Sequence, residues 1–159
     1  MRIKIYAIGK IKESYLKLGI DEYLKKIKPY CQVEVVELMD EPIPNNPNHS
    51  EIEITKNKEG EKVLQQLKNN EYLIGLDLNK KELESPQFAE YLNEKLEKSG
   101  ASISFVIGGS YGLSDALKNR CNDSLSLSKM TFLHQMTRLI LLEQIYRAFK
   151  ILRNETYHK

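Results

Sequence analysis

Short apolar runs alternate with amphipathic stretches along the whole chain of 159 residues. Residues 2–8 alternate between apolar and polar positions, which predicts a strand, and apolar positions then recur at helical spacing over 13–28. Further strands are predicted at 33–36, 72–78, 103–107 and 125–127. Because strands alternate with helices throughout, we expect an α/β fold with a mostly parallel sheet and helices on both faces.

Helix starts and one long loop are indicated by local signals. Ser50 and Glu53 have the spacing of a capping box, which predicts a polar helix running to about residue 69. Ser85 followed by Pro86 predicts an N-cap and a first helical residue, with the helix continuing to residue 98. Residues 40–49 hold three prolines and three asparagines, so we expect a mobile surface loop there.

The last predicted helix, at about 133–152, is apolar on most sides. Only Glu143, Arg147 and Lys150 form a polar stripe. A helix of this kind must be buried on most sides, and a second subunit is the simplest cover, so we predict a homodimer. Arginines on so apolar a helix, such as Arg138 and Arg147, need a partner, which is either Glu143 or a bound group such as a phosphate.

Composition excludes several classes of protein. Charged residues make up 29% and hydrophobic ones 41%, as in globular proteins, and no apolar run approaches the roughly 20 residues of a membrane span. The first ten residues are too interrupted by charge for a secretory signal. Cys31 and Cys121 have no neighbouring ligands, so we predict two free thiols in a reducing cytoplasm and no metal site.

The net charge of +2 conceals a segregation of charge along the chain. Residues 1–30 hold eight basic side chains against three acidic ones, and residues 129–159 hold six against two. The middle of the chain is acidic. Ordinary solvated helix faces account for any single cluster, whereas two basic ends meeting on one face would form a surface for a polyanion.

A glycine-rich segment, Gly108-Gly109-Ser110-Tyr111-Gly112, follows the fourth predicted strand. It matches neither the dinucleotide pattern nor a Walker loop, and no acidic residue is placed to hold a ribose, so a nicotinamide cofactor is disfavoured. The end of the fifth strand, at 127–132, lies close to it in the chain. Because ligands bind beyond the carboxyl ends of parallel strands, we expect a ligand site where these two strand ends meet.

The three histidines do not form a recognisable catalytic set with other side chains. His134 opens the last helix, His49 is in the proline-rich loop, and His158 is one residue from the end of the chain. Each is compatible with a solvated side chain of no special role. No Ser-His-Asp arrangement is apparent.

Several segments together resemble one known family. FVIGGSYG, LSLSKMTFLHQMTRLILLEQIYRAFKI, the terminal YHK and the opening IKIYAIGKIKESY are similar to the RlmH family, which comprises SPOUT-class methyltransferases of the bacterial large ribosomal subunit. The resemblance covers the whole chain. It implies one domain, 1–159, with a deep trefoil knot and a dimer helix at about 103–159, one of the exceptions to the rule against knots.

The resemblance also implies an activity. The family binds S-adenosylmethionine in the knot, acts as a homodimer, and methylates N3 of pseudouridine 1915 in helix 69 of 23S rRNA on the assembled 70S ribosome. We therefore expect a 23S rRNA (pseudouridine1915-N3)-methyltransferase with no metal and no membrane partner.

Residue roles follow from the matching positions. The resemblance implies that the cofactor is bound by Leu76, Gly108, Leu127, Ser128, Lys129, Met130, Thr131 and Phe132. It implies catalytic roles for Arg147, Tyr157, His158 and His134, with His158 as candidate base and Arg147 orienting the substrate or stabilising charge. This chain departs from the family at residues 153–156, where the family often has Gly and Pro, and at Leu133, where proline is frequent.

Two other classes of function remain open at this point. One is a non-catalytic ribosome- or RNA-binding protein that retains the knot fold. The other is a small flavodoxin-like nucleotide-binding protein, but the turn at Gly9-Lys10 is a poor phosphate loop. Neither accounts for the last helix as well as the methyltransferase does.

Overall fold

The computed structural model describes residues 1–159 and contains five strands and five helices. In chain order they are β1 (Arg2–Ile8), α1 (Ser14–Ile27), β2 (Gln32–Leu38), α2 (His49–Gln66), β3 (Leu73–Glu82), α3 (Ser85–Lys98), β4 (Ser102–Ile107), α4 (Asp115–Arg120), β5 (Asp123–Ser126) and α5 (His134–Leu152).

All five strands form one parallel sheet in the order β2-β1-β4-β3-β5. β1 is an interior strand, with Ile3 opposite Val33 on one side and Ile103 on the other. The predicted α/β class is therefore confirmed. Because every pair is parallel, the carboxyl ends of β1, β3, β4 and β5 reach the same edge of the sheet.

The alternation within β1 assigns its side chains to two separate cores. Ile3 and Ile5 are fully buried against α1, α3 and α5 on one face of the sheet. Tyr6 and Ile8 point to the other face, where α2 and α4 cover them. This period of two is the pattern that predicted the strand.

The apolar helix α5 lies between α1 and α3, on the face that holds the larger core. Leu141, Leu142 and Ile145 are fully buried within a single chain. Two flanking helices and the sheet below thus cover the apolar sides for which the sequence argument required a second subunit. The homodimer remains a prediction, and the helix alone no longer demands it.

Both predicted helix caps are displaced in the structure. Helix α2 begins two residues earlier than expected, because its N-cap is Asn48. The side chain of Asn48 accepts the N–H of Glu51 at 2.8 Å, and the side chain of Glu51 accepts the N–H of Asn48. The N-cap of α3 is Glu84, whose N–H donates to the side chain of Gln87. Ser85 is instead inside the helix, and its hydroxyl donates to Gln144 of α5 at 2.7 Å.

Helix α4 was not predicted, because a helix of six residues is too short to show an apolar period. Its N-cap is Ser114, which accepts the N–H of Leu117. Residues 40–48 have no regular structure, as expected, but the loop is attached to α2: Glu41 donates its N–H to Glu59 and forms an ion pair with Lys62. The mobility of this loop stays a prediction.

Candidate functional site

Three loops at the carboxyl edge of the sheet enclose a cavity of about 300 Å³. Two of these loops follow β4 and β5, and the third interrupts β3. The cavity walls comprise residues 76–78, 107–112, 127, 128, 130–132, 134 and 137. This is the size of a pocket for a small organic ligand, at the place where open parallel sheets bind ligands.

The first loop is a bulge inside β3. Leu76 and Lys81 both pair with Leu125, so residues 77–80 leave the ladder, and Asn79 has a φ of +57°. Ser126 holds the bulge from both sides, because its hydroxyl donates to the carbonyl of Asp77 at 2.6 Å and accepts the N–H of Lys80 at 2.7 Å. The bulge thereby presents Asp77 and Leu78 to the cavity.

The second loop is the glycine segment, and its two ends are in backbone contact. The N–H of Gly112 donates to the carbonyl of Gly109 at 3.1 Å. A Cβ atom on Gly108 would lie 2.6 Å from the carbonyl carbon of Gly112, closer than any side chain can approach. Gly112 itself has a φ of +86°. Glycine is therefore required here by geometry, and the loop forms one wall of the cavity.

The third loop, residues 127–133, joins β5 to α5 without regular structure. Ser128 shapes it by accepting the N–H of Met130 at 3.0 Å. Met130, Phe132 and Leu133 are exposed, which gives the mouth of the cavity an apolar rim. Exposed apolar side chains concentrated around a cavity are typical of a binding site.

Most of the residues predicted to bind the cofactor border this one cavity. The exception is Lys129, which is on the third loop but is exposed and not part of the wall. The others are brought together from the β3 bulge and the ends of β4 and β5: Leu76, Gly108, Leu127, Ser128, Met130, Thr131 and Phe132. The sequence did not identify Asp77 and Leu78, because they were expected to be the last two residues of the predicted strand 72–78. Asn79 was the available signal, since asparagine tolerates a positive φ.

His134 also borders the cavity. It is the first residue of α5, and its Nε2 lies 3.5 Å from where a Cβ of Gly9 would be. Burial lowers the pKa of the imidazole, the charge of Arg138 lowers it further, and Asp40 opposes both. A neutral imidazole at neutral pH can accept a proton.

Arg138, one helical turn after His134, is almost completely buried. Its guanidinium donates to Glu37 at 2.6 Å and to the carbonyl of Gly9 at 2.5 Å, which joins α5 to the ends of β2 and β1. The partner of Arg138 is therefore Glu37, and not Glu143 or a bound group, which were the two alternatives considered from the sequence. Glu143 pairs with Arg147.

This network leads to a prediction about stability. Arg138→Met should lower the free energy of unfolding by about 3 kcal/mol, because the buried carbonyl of Gly9 loses its donor and Glu37 loses its partner. For a chain of this size the midpoint of thermal unfolding should fall by roughly 6–12 °C. We expect a smaller loss of stability than for a fully buried ion pair, because the side chain of Glu37 is 42% exposed.

Calorimetry or circular dichroism would measure the change. The matched control is Arg153→Met, which removes an exposed arginine that only stacks on Tyr30 at 4.7 Å and should cost less than about 1 kcal/mol. Equal effects of the two substitutions would contradict the structural role given to Arg138.

The remaining predicted catalytic residues form a cluster at the other end of α5. Arg147 pairs with Glu143 and lies 3.2 Å from Nδ1 of His158. Tyr157 donates to Glu143 at 3.1 Å, and its hydroxyl is 3.3 Å from that of Tyr23. We call Arg147, Tyr157 and His158 the tail cluster.

The electrostatics of the tail cluster favour a cation and a neutral phenol. The hydrogen bond to Glu143 raises the pKa of Arg147, so the guanidinium stays charged. Burial, followed by the bonds to Tyr23 and Glu143, raises the pKa of Tyr157 well above its usual value. Tyr157 is therefore protonated at neutral pH and acts as a hydrogen-bond donor rather than as a base.

Within one chain the tail cluster does not reach the cavity. Arg147 is thirteen positions after His134 on α5, which is roughly 20 Å along a helix. None of the cluster residues borders the cavity. The structure therefore divides the four predicted catalytic residues between two places.

The chain matches one protein family over almost its entire length. Residues 1–158 fit the family described as "Predicted SPOUT methyltransferase". Proteins named ribosomal RNA large subunit methyltransferase H, from Clostridioides difficile (strain 630) and Clostridium novyi (strain NT), are 50% and 52% identical to it over 159 residues, which is 100% of both chains in each comparison.

A solved structure has a similar fold. A protein of Legionella pneumophila, determined in complex with bound S-adenosylmethionine, superposes with a TM-score of 0.52 at 10% sequence identity. The match covers 93% of this chain and 66% of that one. At this identity the likeness concerns the fold alone.

Proposed function

This chain belongs to the SPOUT methyltransferase family, and we propose that it transfers a methyl group from S-adenosylmethionine to RNA of the large ribosomal subunit. The specific target that we propose is N3 of pseudouridine 1915 in helix 69 of 23S rRNA, on the assembled 70S ribosome. Support comes from relatives about half identical over the full length and bearing the name of such an enzyme, and from the motifs quoted above.

The observation that carries this proposal is the cavity enclosed by the β3 bulge and the loops after β4 and β5. Its walls suit S-adenosylmethionine: Leu76, Ile107 and Leu127 offer an apolar surface for a flat base, and the glycine loop exposes backbone N–H and C=O groups. A Cβ on Gly108 would lie 2.6 Å from the backbone of Gly112, so the loop can form this wall only with glycine at position 108.

We propose that the residues around the cavity act mainly by orientation. The sulfonium of bound S-adenosylmethionine supplies an electrophilic methyl group. The β3 bulge, the glycine loop and the loop 127–133 would hold both reactants in line, and orientation of this kind contributes several powers of ten in rate. No further activation of the methyl group is then required.

The target nitrogen must lose its proton, and we propose that His158 accepts it. Arg147 would orient the pyrimidine or stabilise the negative charge that develops on its carbonyl oxygens, with Tyr157 donating a hydrogen bond. His134, neutral and already at the cavity, is the second candidate for the base.

A homodimer would bring these groups together. In one chain the tail cluster and the cavity are at opposite ends of α5, so we propose that each cavity is completed by the tail of a second copy. The whole chain, 1–159, would be one catalytic domain, with the knot and the dimer helix at about 103–159.

The basic ends of the sequence support contact with RNA. A few of their basic side chains come together where α1 and α5 end: Lys26 lies 5.9 Å and Lys150 5.5 Å from the ring of Tyr146, and Arg153 stacks over Tyr30. Contacts between such side chains and RNA phosphates would add an affinity that falls as the salt concentration rises. Recognition of the target would rest on the shape of the assembled ribosome. None of the helices could span a membrane, and we propose a cytoplasmic location.

Analysis of modified nucleosides tests the reaction in cells. Ribosomes from a bacterial strain that lacks its own enzyme for this position should contain unmethylated pseudouridine there, and expression of this chain should restore 3-methylpseudouridine, detected by mass spectrometry of the digested rRNA. Ribosome binding without any methylated nucleoside would instead support the non-catalytic alternative.

The role of His158 leads to a separate prediction. His158→Ala should slow methyl transfer by about 100-fold, the lower end of the contribution of a general base, while cofactor affinity is unchanged. Single-turnover rates on ribosomes would measure this. His49→Ala, in an exposed histidine at the start of α2, is the control. Activity of His158→Ala within about twofold of wild type would remove His158 from the catalytic residues and leave His134 as the base.

A further inference from the structure

A second, smaller cavity of about 70 Å³ adjoins the first. The two share the wall formed by residues 109–111 and by His134. The volume is sufficient for a few water molecules or for a group of the size of an amino-acid end, and not for a second organic ligand.

The side chains around the smaller cavity are acidic. Asp40, Glu41 and Glu59 line it, and no lysine or arginine does. Glu41 is neutralised by its ion pair with Lys62 at 2.7 Å, on α2. Asp40 and Glu59 have no such partner.

Glu59 is the unusual member of this set because it is 94% buried, with a relative exposure of 6%. One carboxylate oxygen accepts the N–H of Glu41 at 3.2 Å. The other, Oε1, accepts no hydrogen bond from the protein, and it is not enclosed, since it faces the smaller cavity. Burial raises the pKa of this carboxyl above its usual value, and the hydrogen bond from the N–H of Glu41 and the charge of Lys62 offset this rise only in part.

The unpaired oxygen lies against Gly109, a residue that lines both cavities. A Cβ on Gly109 would lie 2.9 Å from Oε1 of Glu59, so residue 109 must be glycine for the carboxylate to occupy this place. Glu59 comes from α2, on the opposite side of the loop from the first cavity. The glycine loop is thus in contact with a buried acid that no step of the proposed reaction uses.

We infer that the smaller cavity is the subsite for the positively charged α-amino group of S-adenosylmethionine, with Glu59 as its counter-ion. This inference rests on the proposed function. An ammonium group supplies the charge and the donors that Oε1 lacks, and a buried carboxylate without a partner is costly unless a cation binds it. The side chains His, Cys, Asp and Glu form no group of three that could hold a metal ion, which disfavours a metal as the cation.

Calorimetric titration with nonreactive ligands tests this subsite without any measurement of turnover. S-adenosylhomocysteine carries the amino group, its analogue S-adenosyl-4-mercaptobutanoate lacks only that group, and 5′-methylthioadenosine lacks the whole amino-acid end. Wild type should bind S-adenosylhomocysteine at least about tenfold more tightly than the deaminated analogue, the size of one charge-assisted hydrogen bond.

Glu59→Gln isolates the charge. The substitution should lower the affinity for S-adenosylhomocysteine by about tenfold or more and change the affinity for 5′-methylthioadenosine by less than about twofold. The control Glu61→Gln, on an exposed residue of the same helix, should change neither. The wild-type comparison of the two ligands needs no variant, so the test stands if Glu59→Gln folds poorly.

The outcomes separate two failures. If S-adenosylhomocysteine and its deaminated analogue bind wild type equally well, the ammonium subsite is overturned and the proposed function is unaffected. If wild type binds none of the three ligands, the cofactor assignment itself fails.

Discussion

Replacing Gly108 with alanine is expected to weaken S-adenosylmethionine binding by at least about 100-fold and to reduce methyl transfer accordingly. A Cβ at this position would lie 2.6 Å from the backbone of Gly112, and backbone cannot move aside as a flexible side chain can. The two ends of the glycine loop must separate, which alters the wall of the cavity. We equate the expected loss with nearly 3 kcal/mol, within the range for forced overpacking.

The measurement is calorimetric titration of the cofactor, with circular dichroism to verify folding. The control is Gly100→Ala: Gly100 also has a positive φ, +63°, but a Cβ there would meet nothing within 4 Å. The control should lose some stability through backbone strain and keep its cofactor affinity. A folded Gly108→Ala protein that binds S-adenosylmethionine as wild type does would show that the cavity is not the cofactor site.

Arg147→Ala is expected to produce the complementary result, a loss of methyl transfer of at least about 100-fold with unchanged cofactor affinity. The reason is that Arg147 lies roughly 20 Å along α5 from His134 at the cavity of its own chain and would act on charge in the substrate, as oxyanion-stabilising donors do. Arg153→Ala, an exposed arginine of the same basic surface, should affect mainly the salt dependence of ribosome binding. Loss of cofactor affinity in Arg147→Ala would contradict the division into two places.

Mixing the two variants tests whether the tail acts on the partner's cavity. A dimer of one Gly108→Ala chain and one Arg147→Ala chain has one intact cavity and one intact tail cluster, on different chains. If each tail completes the other cavity, random mixing should restore about a quarter of wild-type activity, since half of the dimers are mixed and each has one complete site. If each tail served its own cavity, the mixture would stay inactive.

Local periodicity predicted most of the fold. One face of β1 and one face of α1 are buried, and the buried positions recur at a spacing of two in the strand and at helical spacing in the helix. Such a pattern can be read from neighbouring residues alone. The glycine segment and the end of β5 were also predicted to meet, because parallel strands end at a common edge. The structure brings them to one cavity.

Features that depend on pairing between distant residues were not predictable. The bulge in β3 is set by Ser126, about fifty residues later in the chain, and Arg138 finds Glu37 across a hundred residues. The sequence therefore pointed to Glu143, on the same helix, or to a bound group as the partner of Arg138, and not to Glu37. The predicted start of α2 was wrong for a different reason. Asn48 and Glu51 form a capping box two residues before Ser50 and Glu53, and because both pairs have the same spacing, the sequence alone does not show which pair caps the helix.

The most direct test of the proposed activity is transfer of a radiolabelled methyl group from S-adenosylmethionine to ribosomal RNA in vitro. Intact 70S ribosomes, free subunits and naked 23S rRNA, all from cells lacking their own enzyme, would be compared and the labelled nucleotide mapped. We predict label at the pseudouridine of helix 69 in intact ribosomes and little in naked rRNA. Absence of label from every substrate, with a cofactor that binds, would contradict the proposed target, and label at another nucleotide would replace it.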